Sequence, residues 1–128
     1  MRHNRFLIFF IVLCLFCLSC SKSTGEKDRQ APVVIIQHPV HNAIIAGDPV
    51  MNISGTVTDN EYIQEIHIEI SNIQTGEEYL HVHIHPNGSA FTYNQPFQPA
   101  SGINYLVRVI AEDPSENISS QKVEFSAR

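Results

Sequence analysis

Four histidines and two glutamates have the types and the spacing to hold a metal ion. His81, His83 and His85 stand at every second position, and in an extended strand that period puts all three on one face, about 7 Å apart at each step. Upstream, Glu65, His67 and Glu69 alternate in the same way. If the two segments form a hairpin around Gln74-Thr75-Gly76, Glu69 falls opposite His81, His67 opposite His83 and Glu65 opposite His85. The result is an outward plate of imidazoles and carboxylates, good ligands for borderline ions such as Zn²⁺, Cu²⁺ or Ni²⁺. The competing reading is structural. An outer sheet face needs polar residues, and cross-strand Glu–His pairs stabilise a hairpin with no ion at all. A flat plate also offers no cage and no outer partners to orient its ligands. A histidine cluster of this kind gains charge between about pH 5 and 7, which would also make the face pH-responsive.

Nothing comparable points to catalysis. There is no Gly-x-Ser-x-Gly nucleophile elbow and no glycine loop to cradle phosphate. All three cysteines lie at or before position 20, so the rest of the chain has no disulfide framework, no thiolate metal site and no cysteine nucleophile. The expectation is a non-enzyme. Setting aside Arg2 and Arg5 of the N-terminal segment leaves six basic residues against thirteen acidic ones, a net charge near −7. Nucleic acid, which requires a basic footprint, is an unsuitable partner.

The N-terminus reads as an export signal. Arg2, His3 and Arg5 make a basic head, and an unbroken apolar run follows from Phe6 to Leu18. As a helix that run would span roughly 20 Å, short of the ~30 Å hydrocarbon core of a bilayer. A signal-peptide core fits it better; an ordinary cleaved signal or a short anchor is the alternative. Residues 21–31 are polar and charged with no apolar period, as expected of a tether.

From Pro32 onward the pattern alternates with period two, the mark of half-buried strands. Val33 to Gln37 is a β-branched run suited to an edge. Met51, Ile53, Gly55 and Val57 would face inward in a second strand, and Ile66, Ile68 and Ile70 in a third. A fourth, Tyr79 to His85, turns Leu80, Val82 and Ile84 inward. Asn87-Gly88 signals a hairpin into a fifth strand carrying Phe91 and Tyr93. Tyr105, Val107, Val109 and Ala111 share one face of a sixth, and Ile118 to Phe125 forms the last. About seven short antiparallel strands over residues 32–128 predict an all-β domain, a two-sheet sandwich, with a small closed barrel as the rival. Tyr105, just after Gly102 at the start of its strand, sits where a tyrosine corner would be.

Two resemblances bear on function. Cys17-Leu18-Ser19-Cys20 followed by Ser21-Lys22 resembles a bacterial lipobox, with Cys17 in place of the usual leucine. That implies a signal peptide over 1–19, diacylation of the Cys20 thiol with chains such as palmitate, and a lipidated tether over 20–31. Ile-Ser-Gly-Thr-Val-Thr-Asp (53–59) and Tyr-Leu-Val-Arg-Val-Ile-Ala-Glu-Asp (105–113) followed by Asn117 resemble bacterial immunoglobulin-like and cadherin-like modules. Together the chain looks like small Bacteroidetes lipoproteins with one Ig-like domain of unknown function. The resemblance implies a cell-envelope protein at the outer membrane of a Gram-negative bacterium, periplasmic or surface-exposed. Its membrane contact would come through lipid, and its partners would be envelope proteins or glycans. Tyr62, Tyr79, Phe91, Tyr93 and Phe97 are the aromatic residues available for a glycan platform.

An Ig-like topology also gathers the loops after the second and sixth strands at one pole. Asp59, Asn60, Asp113, Glu116 and Asn117 would meet there, with Asp28 from the tether close by. Cadherin-like modules place calcium at this pole, and oxygen ligands from several loops are what Ca²⁺ takes. Asp and Asn are equally at home there as turn residues. The family pattern has glycine where this chain has Glu116.

Overall fold

The computed structural model of the protein describes residues 25–46 and 49–128. Expectations for the apolar leader, for Cys20 and for residues 21–24 of the tether lie outside the described residues. Among the described residues every regular element is a strand: β1 (Val33–His38), β2 (Ala43–Ile45), β3 (Met51–Thr58), β4 (Glu65–Asn72), β5 (Glu78–Ile84), β6 (Ala90–Phe97), β7 (Asn104–Glu112) and β8 (Ile118–Ala127). They form a three-stranded sheet, β1-β3-β6, and a five-stranded sheet, β2-β8-β7-β4-β5. No ladder joins the two among the described residues, so the arrangement is sandwich-like rather than a closed barrel.

Three differences from the sequence expectation stand out. Among the described residues there are eight strands, because β2, only three residues long, pairs with β8. That pairing is parallel, so the strands are not all antiparallel. Asn87-Gly88 does not close a hairpin: β5 belongs to the large sheet and β6 to the small one. The chain there steps across the core, with Ile63 N–H bonded to Gly88 O at 3.0 Å. A second step lies between β1 and β2. The β1–β3 ladder shifts register between Ile36 and His38, after which the chain leaves the small sheet for the edge of the large one.

The buried core follows the alternation. Ile53 and Val57 of β3, Ile66, Ile68 and Ile70 of β4, Val107, Val109 and Ala111 of β7, and Val123, Phe125 and Ala127 of β8 are all inside, joined by Ile63, Tyr93 and Tyr105. Each such isoleucine contributes roughly 1.5–3 kcal/mol by leaving water. Leu80, Val82 and Ile84 of β5 are only half-buried. Three strands cannot cover five, and β5 is the outermost strand of the larger sheet.

Two tyrosines tie backbone to core. Tyr105 stacks its ring on Phe125 at 5.0 Å, and its hydroxyl accepts the Ala100 N–H at 2.8 Å, five residues upstream. Tyr93 sends its hydroxyl across Gly55 to donate to Ile35 O at 2.8 Å. Gly55 lies between Ile36 and Tyr93 in the ladders, and a Cβ there would collide with Ile35 O and the Tyr93 hydroxyl. Along the open side, β1 leans on β8. Ile36 N–H donates to Gln121 Oε1 at 2.6 Å, and Ser119 Oγ donates to Pro32 O.

Candidate functional site

β4 and β5 form the expected hairpin, in the expected register. Glu69 pairs with His81 and His67 with His83. On its other side β4 pairs with β7, which sets Arg108 opposite Glu69. The two ladders thus fix the backbone under Glu65, His67, Glu69, His81 and His83, while His85 lies just past the end of β5 and the expected Glu65–His85 pair is not part of the ladder.

The imidazoles are gathered more closely than alternation alone requires. Ring centroids are 4.1 Å apart for His67–His83, 4.6 Å for His81–His83 and 5.4 Å for His67–His81. His67 Nδ1 and His81 Nε2 face each other at 3.1 Å. One ligand atom from each of His67, His81 and His83 lies within 4.8 Å of the other two.

Carboxylates hold the outer sides of these rings. Glu65 reaches His83 Nδ1 at 2.8 Å through Oε1 and His67 Nε2 at 3.3 Å through Oε2. Its hydrogen bond with His83, helped by His67 and by the charge of His85, holds the Glu65 carboxyl below its ordinary range. Glu78 Oε2 lies 3.5 Å from His81 Nδ1. Glu69 keeps Oε1 3.7 Å from His81 Nε2, while its Oε2 accepts Arg108 Nε at 2.7 Å and Arg108 Nη2 at 2.5 Å. His85 stands apart. It is the most exposed of the four, with Nδ1 3.3 Å from Gln64 O and Nε2 3.8 Å from Glu65.

The plate therefore has the outer partners that a flat strand face was expected to lack, and two of them escaped the sequence reading. Strict alternation back from His81 puts Tyr79, not Glu78, on the histidine face. A bulge in the β4–β5 ladder between Ile70 and Ser71 shifts the phase, so Glu78 opposes Ser71. Tyr79 instead meets the core ring of Tyr105, at 5.5 Å. Arg108 stands 39 residues after Glu69; only the β4–β7 register brings it there.

The acidic residues also meet. Ligand oxygens of Asp28, Asp59 and Asp113 lie within 4.8 Å of one another. Asn60 Nδ2 donates to Asp28 Oδ2 at 3.0 Å, and Asn117 Nδ2 donates to Asp113 Oδ2 at 2.7 Å and to Asp28 O at 3.1 Å. Much of this is turn chemistry. Asp59 Oδ1 accepts the N–H groups of Glu61 and Tyr62, both at 2.9 Å. Asp113 Oδ1 accepts those of Ser115 and Asn117, at 2.8 and 2.9 Å. Asp113 is fully buried; burial alone would raise its carboxyl, but the Asn117 and Ser115 hydrogen bonds outweigh that and hold it low. Asp59 Oδ2 is different, a buried carboxylate oxygen with no hydrogen-bond partner. Glu116 supplies only its backbone, N–H to Asp113 O at 3.1 Å, in a turn where it adopts φ 66°. The tight turn forms without the glycine.

The five aromatics do not assemble into a platform. Tyr93 is buried, Phe91 and Phe97 are half-buried against the core, and Tyr62 is drawn to Pro86 O by a 3.0 Å hydrogen bond. The chain matches no protein-family model and no curated protein.

Proposed function

We propose that this chain is a lipid-anchored cell-envelope protein whose immunoglobulin-like β-sandwich acts as a non-catalytic adhesion or accessory module, recognising an envelope protein or glycan. The observation that carries the Ig-like reading is the Tyr105–Ala100 bond at the start of β7. It joins a strand on one sheet's face to the backbone a few residues upstream, as a tyrosine corner does. The split of the first edge into β1 on one sheet and β2 on the other supports the same reading. The anchor rests on the basic head, the apolar run and Ser19-Cys20; two or three acyl chains hold a protein at a bilayer far more firmly than one.

The anchor is tested by expressing the full chain and its Cys20→Ala variant in a Gram-negative host supplied with labelled palmitate. The native chain should take up label and sediment with outer membranes, and the variant should do neither. Label retained by the variant would refute the anchor. For the module, glycan-array and pull-down binding that survives chelator supports adhesion, and measurable turnover by the purified chain refutes it.

A second reading is favoured by one atom. The orphaned Asp59 Oδ2, beside Asp28 and Asp113, fits a hard cation such as Ca²⁺. Because Asp28 comes from the tether, the ion would clamp the tether to the pole of the domain. A rise in melting temperature in millimolar Ca²⁺ over chelator supports this reading, and identical melts refute it.

A further inference from the structure

We propose that His67, His81 and His83 form a binding site for one borderline divalent transition-metal ion of the Zn²⁺, Ni²⁺ or Cu²⁺ class, oriented by Glu65 and Glu78. The site goes beyond the anchor and the adhesion reading and depends on neither; it rests on the β4–β5 face alone.

The argument turns on which ring nitrogens are already engaged. Each neutral imidazole has one N–H and one lone pair. Glu65 faces Nε2 of His67 and Nδ1 of His83, and Glu78 faces Nδ1 of His81. A carboxylate is an acceptor only, so in the metal-bound state each of these nitrogens would carry the proton and leave the opposite nitrogen of its ring to ligate. The lone pairs offered to an ion would then be those of His67 Nδ1, His81 Nε2 and His83 Nε2. Without an ion, His67 Nδ1 and His81 Nε2 share a hydrogen bond at 3.1 Å, one ring donating to the other, and a cation would take the place of that proton. Two nitrogens bound at 2.0–2.1 Å to a tetrahedral ion stand roughly 3.3 Å apart, so very little movement is needed.

Alternation and pairing do not account for this. A solvated face needs polar side chains, and a Glu–His pair needs one carboxylate and one ring. Neither requires three rings gathered so that one nitrogen of each lies within 4.8 Å of the others, with a carboxylate beside every ring. That pattern is how metal-binding histidines are oriented and made more basic. The hairpin ladder under His67, His81 and His83 supplies the rigid base that a precise site requires. Nitrogen donors select against Ca²⁺ and Mg²⁺, which take oxygen. The three rings occupy the sheet side of the ion. Glu69 Oε1 borders the remaining position, its partner oxygen being held by Arg108, and the outward side is open to water or to a donor from another molecule.

The test is calorimetric titration of the full chain, purified without a tag in detergent, with Zn²⁺ alone, followed by Co²⁺ absorption spectra. The expected result is one ion per chain and the intense visible bands of four-coordinate Co²⁺. His83→Ala, at a half-exposed position, should weaken Zn²⁺ binding at least tenfold with an unchanged melting curve. His67→Ala and His81→Ala should do the same. Glu65→Gln should weaken it on the order of 10–100-fold, the effect of losing an outer carboxylate. His85→Ala and His41→Ala should leave it within about threefold of native. The proposal is overturned by absence of one-to-one binding. It is overturned equally by binding that survives His83→Ala, or by losses on His85→Ala or His41→Ala as large as those at the three ligands, which would mark scattered surface coordination.

Discussion

The Tyr93 hydroxyl donates to Ile35 O, 2.8 Å away, by passing over a strand that has no side chain at the crossing point. That residue is Gly55, central in the small sheet between β1 and β6. One hydrogen bond therefore spans all three strands, and burial pushes the Tyr93 phenol's pKa well above its ordinary range.

Gly55→Ala should be among the most damaging single changes in the domain. The methyl must displace either the β1 backbone or the Tyr93 ring, and overpacking of this kind costs about 1–3 kcal/mol. Tyr93→Phe keeps the ring and loses the bond, for about 1 kcal/mol. Urea denaturation of both variants gives the comparison, and an alanine variant as stable as the native chain would show that the crossing is not tight.

Glu116→Gly should stabilise. Glu116 holds φ 66°, a conformation that strains an L-residue by roughly 1–2 kcal/mol, part of which is offset by glycine's greater freedom in the unfolded chain. A net gain of about 0.5–1 kcal/mol is expected in the same denaturation assay. The Glu116 side chain is exposed, so nothing else is lost with it.

Acid should unfold the domain earlier than its charge alone would. Glu65 and Asp113 both ionise at lower pH in the fold than in the unfolded chain. Their ionised forms thus stabilise the native state above the ordinary carboxylate range, and that contribution disappears as pH falls through their lowered values. The share of unfolding free energy that these two carboxylates contribute should be present above the ordinary carboxylate range and decline below about pH 4. Asp113→Ala, which strands two backbone N–H groups, should cost about 2 kcal/mol at neutral pH and less in acid.

At the acidic pole, Asp59→Asn keeps the Oδ1 acceptor for Glu61 and Tyr62 while removing one of three converging negative charges. In chelator the variant should melt higher than the native chain; in millimolar Ca²⁺ the order should reverse. Differential scanning calorimetry under both conditions decides it, and an order that never changes would dismiss the ion.

What could be read in advance was whatever repeats locally. The period of two placed Ile66, Ile68 and Ile70 inside and His81 and His83 outside, and the turn at Gly76 set the hairpin register. The misses are tertiary. Three residues, Ala43–Ile45, carry no periodic signal, and their partner is the far end of the chain. Asn87-Gly88 has hairpin chemistry, yet its flanking strands serve opposite sheets. The Ile70/Ser71 bulge moved Glu78 onto the histidine face by half a period.

β5 is also an open border. Among the described residues no strand lies along one side of it, and Glu-Tyr-Leu-His-Val-His-Ile is rich in residues that favour extended pairing. Such a border templates another copy of itself unless something keeps neighbours away. Here the guard is the crowd of hydrated imidazoles and carboxylates around His81 and His83. The side chains that gather a cation would then double as the molecule's protection against self-association, and alanine variants of that face should be judged for solubility as well as for affinity.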